Sequence, residues 1–304
     1  MSQATHLRAL LRAGKLIVAP GAVDGITARA IDRAGFPAAY MTGAGTSATL
    51  GYPDYGLTTM TEMVANASRI VNAISIPLIS DADTGYGNEL NVYRTVQEFE
   101  RAGVAAIHIE DQVFPKRCGH LDNKEVTSRE DYVAKIRAAA AARRSKDFTI
   151  IARTDSRAVL GFEEAIARAN LALANGADVA FVEAPQTLEE VAAIPRRVNG
   201  PCLLNVVRAG RTPEIPLAEA EQLGYAIAIL PGVLLLGIIE ACDAILADVK
   251  RLGTHPTSMG KASPAQIFAR FGAAEWDARR TEFRGPIDEA DAVTAKADAA
   301  VPAK

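Results

Sequence analysis

Four short stretches of this chain carry groups that could do chemistry together. Asp81-Ala82-Asp83 runs into Thr84-Gly85-Tyr86-Gly87, and Glu110-Asp111-Gln112 follows further along. With Asp54, the acids Asp81, Asp83 and Glu110 would concentrate negative charge, and like carboxylates repel unless a cation lies between them. Oxygen ligands without a histidine cluster suit Mg2+, with Mn2+ as the alternative, rather than zinc. An Asp-x-Asp on its own serves a turn as readily as a metal. Gly85 and Gly87 fit both readings, a tight turn or a close backbone approach to a ligand. The third stretch is Lys116-Arg117-Cys118-Gly119-His120, inside a polar loop. A lone cysteine usually fills apolar space. Here the neighbouring Lys116 and Arg117 favour the thiolate, which makes Cys118 an acid/base candidate. His120 is a better functional candidate than His108, which falls inside a strand. The fourth stretch is Arg153-Thr154-Asp155.

Such groups need a frame. Short apolar runs at Leu16–Pro20, Ala38–Thr42, Pro77–Asp81, Ala105–Ile109, Thr149–Arg153, Val179–Glu183, Cys202–Val206 and Tyr225–Leu230 read as strands buried on both faces. Helical periodicity fills the gaps, most clearly at Met60–Ala73, Leu90–Ala102, Ser128–Ala142, Phe162–Asn175 and Leu188–Val198. Gly35, Gly103 and Gly176 stand where helix C-caps need a left-handed residue. Strands alternating with helices in this number predict a (β/α)8 barrel, of the TIM type. A doubly wound sheet would carry a glycine-rich phosphate turn after its first strand, and Ala19-Pro20-Gly21-Ala22-Val23-Asp24-Gly25 lacks that spacing. A barrel places its active site at the C-terminal strand ends. Asp81, Asp83, Glu110, Arg153, Glu183 and Asn205 all fall there. The long connection from Gln112 to Thr127 reads as a lid.

The totals narrow the function classes. The chain has 304 residues, a net charge of -3, 49% hydrophobic and 6% aromatic residues, so neither a nucleic-acid surface nor a disordered chain is expected. The apolar segment Tyr225 to Ala241 is interrupted by Pro231, Gly232 and Gly237. It reads as a buried strand followed by a buried helix rather than a membrane span. Cys118, Cys202 and Cys242 form neither a disulfide framework nor a zinc pattern, and Cys202 and Cys242 read as core. With no signal peptide legible, a cytoplasmic location is expected. One domain is expected over 1–285, helical again from Pro264 to about Phe283, with a mobile tail over 286–304.

Taken in order, the blocks from Asp81 to Gly87, His108 to Gln112, Lys116 to His120 and Ala152 to Asp155 resemble the isocitrate lyase / phosphoenolpyruvate mutase superfamily. Within it the chain is similar to the short lyase branch of 2-methylisocitrate lyases, 2,3-dimethylmalate lyases and oxaloacetate hydrolases. The resemblance covers roughly residues 5–285. It implies a barrel whose eighth helix is swapped between subunits, in dimers assembled into a homotetramer. It implies Mg2+ touched directly by Asp83, with Asp54, Asp81 and Glu110 holding its waters. Thr42, Gly43, Ala44 and Asp81 would bind the 2-oxo or 2-hydroxy acid end of the substrate. Gly119, His120, Glu183 and Asn205 would bind the second carboxylate or order the site. Cys118, with Lys116, Arg153 and His120, would carry the chemistry. The implied activity is a Mg-dependent carbon–carbon lyase that yields a 2-oxo acid such as pyruvate. The alternatives on the same scaffold are oxaloacetate hydrolysis to oxalate and acetate, and a phosphonate-forming mutase of the carboxyvinyl-carboxyphosphonate phosphorylmutase kind. One stretch departs from the pattern. Methylisocitrate lyases carry Asn-x-Thr-Glu-x-Gly-x-Thr-Pro after strand seven, where this chain has Val207 and Arg208 in place of the Thr and Glu. That weighs against a tricarboxylate substrate.

Overall fold

The computed structural model describes residues 2–121, 123–256 and 260–284. The chain opens with α1 (Gln3–Arg12), β1 (Ile17–Ala22), α2 (Gly25–Arg33), β2 (Ala39–Met41), α3 (Gly43–Thr49), α4 (Met60–Val71) and β3 (Leu78–Asp81). It continues through α5 (Glu89–Arg101), β4 (Ala106–Glu110), α6 (Arg129–Ala142), β5 (Thr149–Thr154), α7 (Ser156–Leu160), α8 (Phe162–Ala174) and β6 (Val179–Val182). Then come α9 (Leu188–Arg197), β7 (Cys202–Asn205), α10 (Leu217–Leu223), β8 (Ile227–Leu230), α11 (Val233–Leu252), α12 (Pro264–Ala269) and α13 (Ala273–Phe283).

The strands are parallel and close into a barrel in sequence order, with β1 pairing β8 from Ile17–Ile227 to Pro20–Leu230. Their alternate residues divide between two environments. Ile17, Ala19, Ile79, Ile151, Phe181, Leu203, Ile227 and Ile229 form one apolar cluster inside the barrel, joined by Leu7 of α1. Leu78, Ile107, Ile109 and Ile150 face outward, where Ile31, Met63, Ile70, Val96 and Phe99 of the surrounding helices cover them. Each such side chain, removed from water, contributes about 1.5–3 kcal/mol. The helices start where capping residues supply acceptors: Asp24, Thr59 and Asn88 each form a capping box.

The strands lie where the short apolar runs of the sequence predict them, and three expectations need correction. The helix after β8 is not buried: α11 has no buried residue along its length. Cys242 on that helix is therefore exposed rather than core, whereas Cys202 is buried as expected. The helical stretch from Pro264 is two helices, parted at Gly272, whose φ of 81° a helix interior does not allow. The N-terminal helix α1 was not legible as periodicity. Two compact units are formed, residues 1–244 with the barrel and residues 245–304 with the end of α11, α12 and α13. The expected tail beyond residue 285 lies outside the described residues. Among the described residues no helix is long and apolar enough to cross a membrane.

Candidate active site

The ends of β2, β3 and β4 bring buried acids to one rim. Asp81 Oδ2 accepts from the Gly43 amide at 3.1 Å, and its Oδ1 accepts from the Asp83 amide at 2.9 Å. Glycine at position 43 leaves room for this contact, since a Cβ there would lie 2.5 Å from Asp81 Oδ2 and push the carboxylate aside. His108 lies 3.6 Å from Asp81 and 2.8 Å from the Tyr40 hydroxyl. Burial lowers the His108 pKa to about 4, so the ring is neutral and structural. Burial would raise Asp81, but His108, Lys116, Arg153 and the Asp83 amide outweigh it and hold the carboxyl at about 2. His108, uncharged at neutral pH, contributes little to that balance, which Lys116 and Arg153 carry. Asp83 differs. Burial, with Asp81 and Asp54 nearby, lifts it to about 6 despite Lys116. Its φ of 46° puts it in the left-handed region, and Tyr86 (61°) and Ala184 (54°) share that conformation. Such backbone costs of order 1–3 kcal/mol per residue, and here it gathers at the strand ends that carry the acids.

Arg153 at the end of β5 is the hub of the opposite wall. Its Nε donates to Asp155 at 2.9 Å, its Nη1 lies 3.1 Å from Glu110, and its guanidinium stands 5.3 Å from the Phe181 ring centroid. Asp155 also accepts from Lys124 at 2.9 Å, and Arg153 together with Lys124 keeps its pKa well below the usual carboxylate range against the effect of burial. Behind it, Asp111 accepts from the Asp155 amide, the Thr154 hydroxyl and Arg168. Glu183, on the residue after β6, accepts from Asn205 at 3.2 Å and lies 3.0 Å from His120.

The loop after β4 closes over these walls, and ion pairs hold it. Lys116 Nζ meets Asp54 at 2.6 Å and Asp83 at 2.8 Å. Gln112 clasps the Arg117 backbone, accepting its N–H at 3.0 Å and donating to its carbonyl at 2.8 Å. Lys124 donates to the Gly119 carbonyl. A Cβ on Gly119 would lie 2.6 Å from both Arg153 Nη2 and the Glu183 side chain, so only glycine lets the loop descend this far. Arg211, in the loop after β7, donates to His120 twice, from its amide to Nδ1 and from its Nε to the carbonyl, each at 3.1 Å.

Cys118 requires a correction. The sequence favoured a thiolate through Lys116 and Arg117, but neither cation serves the sulfur. Lys116 is taken by Asp54 and Asp83, and Arg117 lies over the Tyr55 ring. Burial raises the Cys118 pKa, with Asp54 and Glu183 adding to the rise, so the group is a thiol ready to give a proton.

Between these walls lies a cavity of about 140 Å3. Of the sequence candidates, Thr42, Ala44, Asp54, Asp81, Cys118, Gly119, His120, Arg153, Glu183 and Asn205 line it. Gly43, Asp83, Glu110 and Lys116 stand just behind, and the Gly43 amide is spent on Asp81. The sequence did not single out Tyr40, Pro231, Gly232 and Leu235, which also line it, nor the brace Arg211; Asp155, part of the fourth stretch, serves as a brace with Lys124 and does not line the cavity. Arg208 is exposed and takes no part in the lining, whereas Val207 faces the cavity.

The acids suit a divalent cation. Asp54, Asp81, Asp83, Glu110, Asp155 and Glu183 outnumber the cations Lys116, Lys124 and Arg153. Among the described residues neither oxygen of buried Glu110 accepts a hydrogen bond, though Arg153 lies 3.1 Å from one, and its pKa is pushed well up by burial. Among the described residues no three Asp, Glu, His or Cys side chains converge as direct ligands. An all-carboxylate donor set of this kind fits an ion that keeps most of its water and takes one or two carboxylates, as Mg2+ prefers.

The profile of the phosphoenolpyruvate phosphomutase family matches residues 7–250. The 2,3-dimethylmalate lyase of Eubacterium barkeri is 52% identical over 272 residues, covering 89% of this chain and 93% of that one. The 2-methylisocitrate lyase of Aeropyrum pernix is 41% identical over 284 residues, covering 93% and 92%. A solved structure of oxaloacetate acetylhydrolase with the inhibitor 3,3-difluorooxalacetate superposes with a TM-score of 0.90 at 39% identity, covering 94% of this chain and 98% of that one.

Proposed function

The chain belongs to the phosphoenolpyruvate phosphomutase family, and from that premise we propose a Mg2+-dependent lyase that splits an alkylated 2-hydroxy dicarboxylate of the 2,3-dimethylmalate type. The observation that carries the substrate class is the wall formed by Val207, Pro231, Gly232 and Leu235. It has no charged group. The cations near the cavity, Arg153 and Lys116, stand on the far side, already among carboxylates. A third carboxylate laid against the apolar wall would be buried without a partner. Methyl groups fit there.

The chemistry follows from the chain's own groups. The substrate's 2-hydroxy acid end lies between Thr42, Ala44 and Arg153. When bound at Asp83, Mg2+ would polarise the oxygen on that end. A carboxylate of the acidic rim that lines the cavity, Asp54 or Asp81, takes the hydroxyl proton, the C–O bond becomes a carbonyl, the adjacent C–C bond breaks, and its electron pair passes to the departing fragment as an enolate. Arg153 and His120 face that charge. The Cys118 thiol gives its proton to the carbanionic carbon. Gly119 lets the closed loop exclude water while this happens.

The test is a panel of 2,3-dimethylmalate, 2-methylisocitrate, oxaloacetate and phosphonopyruvate, with Mg2+ and with EDTA, scored for pyruvate and oxalate. We expect kcat/KM for 2,3-dimethylmalate to exceed that for 2-methylisocitrate about 10- to 100-fold, the cost of one unpartnered charged group. Chelation should remove activity, and added Mg2+ should restore it. Turnover of oxaloacetate or phosphonopyruvate alone would overturn the reaction class. Preference for the tricarboxylate would overturn the substrate class.

We also propose that the chain works as a homotetramer of helix-swapped dimers. Two features support this. The first turns of helix α11 expose Leu236 (48%) and Ile239 (48%) among other apolar residues. On the barrel's outside, Val18, Ile31, Phe36, Leu217 and Leu230 line an uncovered apolar groove of about 240 Å3. An apolar helix beside an apolar groove marks an interaction surface. Light scattering should give a mass near four chains of 32.1 kDa. A monomer would sink the proposal.

A further inference from the structure

A second concave site lies at the other end of the barrel from Arg153. There α1 and the loop from Arg143 to Phe148 bound a cleft of about 780 Å3. Leu11, Ala140 and Pro201 give it an apolar floor, and Arg8, Arg12, Arg143, Arg144 and Lys146 ring it. Among the described residues only Asp147 and Asp178 oppose those cations in the lining of the cleft. The chain as a whole carries a net charge of -3, so the positive excess is local.

The frame of this cleft is fixed. Arg8 and Arg143 share Asp178, at 2.8 and 2.7 Å. Arg8 also donates to the carbonyls of Asp147 and Phe148, at 3.1 and 3.2 Å, which ties the loop to α1. Asp147 accepts from the Thr5 hydroxyl at 2.7 Å. A neighbouring acid, Glu100, is taken up by the amides of Arg144 and Ser145, at 2.9 and 2.6 Å. The guanidinium groups of Arg12 and Arg144 and the ammonium of Lys146 have no ion pair or hydrogen bond among the described residues. Cations held around one hollow repel each other until an anion enters.

We propose that this cleft binds a small organic polyanion, with two or more carboxylate or phosphate groups on a short carbon body. The free cations Arg12, Arg144 and Lys146 would take the charges. The floor of Leu11, Ala140 and Pro201 would take the carbon body. None of these residues belongs to the active site, so the two sites can be separated by substitution.

The test is isothermal titration calorimetry at low ionic strength with citrate and, separately, with glycerol 2-phosphate. It compares the unmodified protein with a triple variant, Arg12→Ala, Arg144→Ala and Lys146→Ala. All three side chains are exposed, so the variant should melt at the same temperature as the parent. We expect a binding event in the parent that weakens at least tenfold in the variant and fades with added salt. The tighter of the two ligands tells carboxylate from phosphate recognition. Equal affinity and stoichiometry in both proteins would place all anion binding at the active site and overturn the proposal, as would no binding at all.

Discussion

Replacing Cys118 with serine is expected to lower kcat on the preferred acid by about 10²- to 10⁴-fold, the usual contribution of a positioned proton donor. A serine hydroxyl keeps the shape but holds its proton far more tightly. Cys118 is only half-buried, so the melting temperature should barely change. The unmodified enzyme should also show a pH signature. The proton is available below the thiol's pKa and lost above it. Because burial raises that pKa, the alkaline fall in kcat should lie above the ordinary cysteine range. More than a tenth of the parent rate in the serine variant would remove Cys118 from the reaction. So would an alkaline limb near neutral pH.

The second large effect concerns Arg153. Arg153→Met should destabilise the fold by about 3–5 kcal/mol, because Glu110, Asp155 and Glu183 would be left buried without their shared cation. Activity should vanish with it. Arg153→Lys is the informative companion. It restores one charge but not the planar fork that reaches Asp155 and Glu110 together, so stability should recover in part while kcat stays low. Urea unfolding and kinetics on the two variants check this. A methionine variant as stable as the parent would show that the acids are neutral or paired some other way.

The sequence made the frame legible because barrel strands are buried on both faces and announce themselves as short apolar runs. Val179–Val182 and Ile227–Leu230 are of that kind. It also made legible which acids gather, since Asp81, Asp83 and Glu110 occupy strand ends that a barrel turns to one rim. What it hid is long-range. The brace from Arg211 to His120 joins residues 91 positions apart, and nothing local marks either as a partner. The state of Cys118 was misread for a related reason. Sequence neighbours suggested nearby cations, but Lys116 is drawn away by Asp54, which arrives from another loop. The face of α11 was misread because apolar composition predicts burial without saying what does the burying. Leu236 and Leu246 are apolar and exposed in the single chain.

The Arg211–His120 brace bears on any attempt to redesign this enzyme. The β7 loop supplies Val207 to the cavity wall and, four residues on, the arm that holds the lid. A Cβ on Gly210 would come within 2.9 Å of the His120 ring, so this loop and the lid already touch. Selectivity and closure are therefore not independent traits. A loop graft meant only to admit a bulkier or more charged acid would also loosen His120, two residues from Cys118 in the same lid. Directed evolution along this segment should meet the trade as variants that gain a new substrate and lose turnover on every substrate, until compensating changes appear in the lid.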